Sequence, residues 1–228
     1  MTDFVQLLPL AVLGAVLGLD VVSFPQAMIS RPLVAATAAA TLLGDPARGL
    51  LVGATLEMFA LETLPFGASR YPEWGSAAVV GGGLFAMHGD GSPGALTIAV
   101  LAGLVCAWIG GWSMVQLRKL NARFARARHD AVASGSKRVV EGLQVFGLTA
   151  DLVRGGALTA IILALFTPMQ TWVLGAWGSD PRVSRAVVVG VAASVAGGAV
   201  WKVVHAAPAA RWLLLGGIGV GLALLAAQ

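Results

Sequence analysis

The sequence predicts an all-α, polytopic transmembrane protein whose helices include re-entrant hairpins. Three observations predict it. The 228 residues are 57% hydrophobic and only 11% charged, against roughly 25% charged in an ordinary soluble domain. The mean hydropathy is +0.84. The apolar runs come in two lengths: some approach the roughly 20 residues that cross about 30 Å of hydrocarbon, and others are too short and are joined by tight turns. The chain has room for roughly six to eight crossings or half-crossings and none for a sizeable soluble domain, which excludes a soluble enzyme. The expected organisation is one integral membrane domain over residues 1–228, with a core at 1–94 holding the re-entrant segments, a span at 95–117, a basic amphipathic segment at 118–142 and C-terminal spans at 143–228.

The elements follow in order. Residues 4–19 are apolar and rich in small side chains, with Gly14 and Gly18 spaced for close helix approach in lipid. Met1, Thr2 and Asp3 carry no basic residue and no cleavage pattern follows, so the start reads as mature protein. Asp20, Ser23, Pro25, Gln26, Ser30, Arg31 and Pro32 make the next stretch too polar to face lipid. Residues 33–44 and 50–64 are both short for a crossing, and Gly44, Asp45, Pro46 and Gly49 between them mark a turn. Two short apolar pieces around a turn predict a re-entrant hairpin, tolerated at membrane depth only where protein or a water-filled cavity satisfies the backbone.

Residues 65–75 are polar, aromatic and turn-rich, residues 76–86 are apolar around Gly81, Gly82 and Gly83, and residues 88–94 form a solvated loop. Residues 95–117 are the best-defined span, ending in Trp112 and a basic run as an interfacial belt requires. Residues 118–133 read as a basic amphipathic helix at the inner surface, closed by Ser134, Gly135 and Ser136. Three further apolar runs lie at 155–177, 186–204 and 212–227, with Pro168 expected to kink or break the first. Small-residue stripes such as Gly217 and Gly221 predict helix–helix contact and a homo-oligomer.

Charge and special residues narrow the function. Lys and Arg number 15 against 11 Asp and Glu. The excess gathers at Arg118, Lys119, Arg123, Arg126, Arg128, Lys137 and Arg138 beside a span, which marks the cytoplasmic side and not a nucleic-acid face. Cys106 stands alone in an apolar run and reads as packing. His88, His129 and His205 lack metal-ligand spacing, and Gly81 to Gly83 lacks the Lys-Ser/Thr of a phosphate loop. No metal, cofactor or catalytic group is expected.

Ionisable residues inside membrane segments mark a pathway, a site or a paired structural role. Glu57 and Glu62 interrupt an otherwise apolar stretch. Five residues at 100° each put them about 140° apart on a helix, so they share a face only if the helix breaks near Pro65. Arg31, Arg48 and Arg70 are candidate charge partners, and Asp45 a structural residue of the turn. Each Glu either points at a solute or is neutralised by a salt bridge or cap. Asp20, Ser23, Gln26, Glu73 and Trp74 join the candidate set, because a polyol asks for carboxylates and amides beside an aromatic face. These residue types alone do not choose a sugar over an amino acid or a cation, and a proton-coupled carrier would use the same carboxylates.

The run from Arg31-Pro-Leu-Val through Leu43-Gly-Asp-Pro to Gly49-Leu-Leu-Val-Gly-Ala-Thr-Leu-Glu57-Met-Phe-Ala-Leu resembles the IIC membrane subunit of the mannose/fructose/sorbose family of bacterial phosphotransferase systems (PTS). The likeness covers the first third well and continues weakly to the C-terminus. It implies a sugar-translocating subunit of the inner membrane with an elevator-like moving core. It also implies a IID membrane partner, cytosolic IIA and IIB proteins that carry the phosphate, and a multi-subunit assembly with threefold repetition. Arg31 and Glu57 take the family's motif positions. The sequence departs from the family at Ser30, where mannose permeases carry a His, at Glu62 to Pro65, and at Pro72-Glu73-Trp74 in place of a Pro-Asp. A secondary carrier of the same fold and a non-transporting regulatory subunit are the competing readings.

Overall fold

The computed structural model describes residues 4–20, 23–61, 70–87, 91–176, 180–204 and 209–226. Glu62 and Pro65, His88 and His205 lie outside the described residues. The described chain is helical with no strand: α1 (Phe4–Asp20), α2 (Pro32–Leu42), α3 (Pro46–Ala60), α4 (Trp74–Met87), α5 (Pro93–Ala127), α6 (His129–Ala133), α7 (Lys137–Gly175), α8 (Pro181–Val204) and α9 (Ala210–Ala226). Three of these, α5, α7 and α8, are long and apolar enough to cross a membrane.

The bundle is organised around α4. This helix has 14 residues, about 21 Å at 1.5 Å per residue, and is too short to cross hydrocarbon alone. It has no need to. Every residue of α4 from Gly75 to Phe85 is buried, walled by α1, α2, α3, α5 and α7. The glycines predicted to allow close packing are where that packing occurs. A Cβ on Gly82 would collide with the backbone of α2, 2.8 Å from the Ala36 Cα and 2.9 Å from its carbonyl carbon. Leu10, Val52, Leu56, Val80, Leu84 and Leu96 fill the layers between helices.

The two short apolar pieces form a helical hairpin, α2 and α3, antiparallel and packed on each other and on α4. With 11 and 15 residues they are about 16 and 22 Å long. Gly44 makes the turn with φ +84°, a conformation that costs a residue with a Cβ about 1–2 kcal/mol.

The long helices differ from the sequence expectation in one way. The basic residues after 117 do not begin a separate helix lying on the surface, because α5 runs on unbroken to Ala127. Arg, Lys, Leu, Gln and Ala are strong helix formers, so the charge that ends the apolar span does not end the helix. With 35 and 39 residues, α5 and α7 are about 52 and 58 Å long, well beyond 30 Å of hydrocarbon. Their polar ends form an antiparallel arm, pinned by an edge-to-face contact of Phe124 and Phe146 with centroids 5.0 Å apart and turned through α6 and Ser134 to Ser136. Pro168, expected to kink or break its helix, stands inside α7, which continues past it. The Thr167 and Thr171 hydroxyls on either side of it bond to the Leu163 and Thr167 carbonyls, one turn back. Among the described residues, α9 at the far end of the chain touches the bundle only through α8.

Candidate functional site

The hairpin carries the sequence motif, and its open end is where Arg31 and Glu57 meet. Gly44 reverses the chain at one end, and Asp45 stabilises that turn: its Oδ1 accepts from the Arg48 N–H at 3.2 Å, and its Oδ2 lies 3.0 Å from Arg48 Nε. At the other end the Arg31 guanidinium pairs with Glu57 Oε1. Glu57 Oε2 accepts from the Leu33 N–H at 3.2 Å, one of the first-turn amides of α2 with no intrahelical partner. A carboxylate there is also favoured by the helix dipole. The pair therefore closes the hairpin while staying partly accessible, with side-chain exposures of 30% and 20%. Of the three arginines considered as partners, Arg31 takes Glu57, Arg48 takes Asp45, and Arg70 lies over the Trp108 ring at 4.3 Å.

Asp20 ends α1 almost fully buried and ties down the loop that follows. Its Oδ1 accepts from the Ala27 N–H at 2.6 Å, and its Oδ2 from the N–H and Oγ of Ser30 at 2.9 and 2.7 Å. This loop holds Gln26 and Met28 at φ +59° and +61°, left-handed positions that persist only when the surroundings over-determine them. Gln26 itself is exposed at the loop's crest. Ser23, at the start of the loop, reaches α7, where its Oγ donates to Asp151 Oδ2 at 2.5 Å.

Glu73 is fully buried. It sits just before α4, its N–H donates to the Ala107 carbonyl at 2.9 Å, and its Oε1 accepts from the Ser76 N–H at 3.0 Å, which caps α4. Its Oε2 has no hydrogen-bond partner. Trp74, the first residue of α4, is half-buried against the core.

Sequence reasoning missed a buried ion pair. Asp151 and Arg154, one turn apart on α7, approach to 2.8 Å with side-chain exposures of only 5% and 10%. Arg154 Nη1 also reaches the Gly110 carbonyl at 3.4 Å and Ser113 Oγ at 3.2 Å on α5, while its Nη2 has no partner. Gly110 brings Glu73 to the same place: a Cβ built there would stand 2.8 Å from the Glu73 Cβ. Two carboxylates and one guanidinium thus converge where α4, α5 and α7 meet. The signal was present, since an Asp and an Arg interrupt the long run from 142 to 175, but the apolar stretch was counted from Gly155.

The candidate residues do not converge on one pocket. Arg31 and Glu57 stand at the hairpin's open end, Asp20 beneath its loop and Glu73 under α4. Ser23 and Asp151 line a separate cavity of about 400 Å³ between α5 and α7.

Three helices of spanning length and composition, short helices buried among them, and an ion pair held inside the bundle define a multi-pass α-helical membrane protein. The family model for the sorbose-specific IIC component of the PTS matches residues 4–177, and the chain belongs to that family. Among its relatives is the mannose-specific EIIC component of Escherichia coli K12, 31% identical over 135 residues, covering 59% of this chain and 49% of the relative. The sorbose-specific EIIC component of Klebsiella pneumoniae is 29% identical, covering 60% and 49%. The fructose permease IIC component of Bacillus subtilis is 26% identical, covering 64% and 51%. The chain spans about half the length of the curated relatives it matches. Its fold is shared with a solved membrane protein at a TM-score of 0.71 and 21% identity, covering 100% of this chain and 96% of that one. It is shared also with the mannose transporter ManYZ, solved in complex with microcin E492, at a TM-score of 0.60 and 21% identity, covering 98% and 95%.

Proposed function

We propose that this chain is the sugar-translocating IIC-type subunit of a mannose/sorbose-type PTS, moving a hexose-like sugar across the inner membrane for phosphorylation by partner proteins. The observation that carries the reading is the family match over residues 4–177. The fold supports it, because α2, α3 and α4 are short helices whose polar ends are served by protein, the arrangement that lets broken segments line a solute path. In this reading α2 and α3 enter the membrane as a re-entrant hairpin, and the hairpin and α4 move as a rigid body in an elevator-like step. Such a motion requires the Arg31–Glu57 pair to hold the hairpin in one piece.

Glu57 is the carboxylate that faces the sugar, held in place by Arg31, with Gln26 and Trp74 as further contacts and Glu62 completing the set. Asp20, Ser23 and Glu73 belong to the site by holding the loop and the start of α4 where the sugar needs them. The chain does no bond chemistry itself. A IID-like membrane subunit shares the path, and cytosolic IIA and IIB proteins deliver phosphate on the side marked by the basic arm at 118–138. The complex is a homo-oligomer of such units, trimeric by the family's threefold repetition.

Uptake in cells that express this chain with a IID subunit tests the reading. Mannose, sorbose or fructose is taken up and recovered phosphorylated, and Glu57→Gln lowers uptake strongly while the protein remains in the membrane. Uptake of unmodified solute driven by a proton gradient supports the secondary-carrier alternative, and a stable complex with no uptake supports the regulatory one.

A further inference from the structure

The cavity lined by Ser23 and Asp151 contains no residue of α2 or α3, so it is separate from the hairpin that carries Arg31 and Glu57. It lies at the basic end of the bundle, where the loop after α1 meets the segments of α5 and α7 just beyond the apolar span. Its volume of about 400 Å³ falls within the roughly 300–1,000 Å³ of small-molecule sites.

The polar groups on its walls are fixed before any ligand arrives. Asp151 is held by Ser23 on one oxygen and Arg154 on the other. Arg118 donates to the Tyr71 hydroxyl at 2.8 Å and lies 5.4 Å from the centre of that ring. Asn121, facing Gly147 across the helix crossing at 3.3 Å from a Cβ built there, has an amide oxygen buried without a partner. Gln144 adds a second amide, and the Phe124–Phe146 pair forms an apolar wall.

The charge on the lining decides the class of ligand. Arg118 and Asp151 contribute one positive and one negative group, and every other lining residue is uncharged. The walls favour neither an anion nor a cation. They offer acceptors at Ser23 and Asp151, donors at Arg118 and Gln144, and an apolar face, the set that a neutral polyhydroxy molecule engages with hydroxyls and C–H surface together.

We propose that this cavity is a second sugar-binding position at the basic mouth of the protein, occupied as solute passes between the membrane body and the side where the basic arm stands. The assignment rests on the transport reading above and adds a site to it. It gives Ser23 and Asp151 a role distinct from that of Glu57.

The single native cysteine makes a direct test possible. Cys106 is buried and is the only cysteine of the chain, so an introduced thiol is the one that reacts. Gln144→Cys places a thiol on the cavity wall, and Val145→Cys, at a position 62% exposed outside the cavity, serves as the control. The rate of maleimide modification is measured on the full chain with its IID partner, with and without mannose, sorbose or fructose. One of these sugars slows modification of Gln144→Cys about tenfold at ten times its Kd and leaves Val145→Cys unchanged, and the protection survives Glu57→Gln. No slowing by any sugar, equal slowing at both positions, or loss of protection in Glu57→Gln overturns the assignment. Uptake without protection overturns the cavity site and leaves the transport reading intact. Protection with no uptake by the assembled complex overturns the transport reading instead.

Discussion

The buried ion pair on α7 makes a quantitative prediction. Arg154 pairs with Asp151 at 2.8 Å and reaches the Gly110 carbonyl, beside which Glu73 is also packed. Replacing it by Met keeps the length of the side chain and strands the buried Asp151 carboxylate in a region of low dielectric. Breaking a buried pair in this way costs about 3–5 kcal/mol, and at about 2–4 °C per kcal/mol for a chain of this size the melting temperature in detergent falls on the order of 10 °C. Asp151→Asn is milder, because Arg154 keeps the amide oxygen, the Gly110 carbonyl, Ser113 and the nearby Glu73. The double variant is the decisive member. Asp151→Asn removes the charge that Arg154→Met strands, so the pair together loses less than the sum of the two singles, by about 0.5–3 kcal/mol, the range of coupling between residues in contact. The assay is a thermal-unfolding series on wild type, both singles and the double, followed by tryptophan fluorescence. Strict additivity would refute the claim that Arg154 compensates Asp151 inside the bundle.

Other perturbations test the packing and the turns. Gly82→Val drives a side chain into the α2 backbone and lowers stability by about 1–3 kcal/mol or more, whereas Gly197→Val on α8, with open space around it, has little effect; equal losses in thermal unfolding contradict the α2–α4 approach. Asp45→Ala removes the cap of α3 and the partner of Arg48 and costs about 1 kcal/mol, read as increased hydrogen exchange confined to the hairpin turn. Asp20→Ala releases the loop at 23–31 and makes it the first site cut in limited proteolysis, while Asp20→Asn, which retains one acceptor oxygen, gives partial protection; identical cleavage of wild type and Asp20→Ala contradicts the anchoring role.

How much of this was legible in the sequence depended on whether a feature was local. The hairpin turn was legible because Gly44, Asp45 and Pro46 encode a left-handed residue, a cap and a first helical position within three residues. The triple glycine of α4 was legible as a close-packing surface for the same reason. Glu73 shows the limit: its place beside Trp74 fitted a sugar site, but its carboxylate caps α4, a role signalled by its position three residues before the Ser76 amide. The Asp151–Arg154 pair was hidden by the boundary drawn around the apolar run, since a helix that continues past the bilayer blurs where the membrane segment starts. The cavity was not legible at all. It depends on a loop at Ser23, one side of α5 and one side of α7 meeting in space, and no pattern within any of the three segments records that meeting.

The most direct test of the central claim is the fate of labelled sugar in cells expressing this chain with a IID subunit and the cytosolic phosphate carriers. Mannose, sorbose or fructose should accumulate as the sugar phosphate, with the rate falling at least tenfold in Glu57→Gln while the amount of chain in the membrane stays the same. Accumulation of free sugar, or undiminished uptake in Glu57→Gln, would contradict the account.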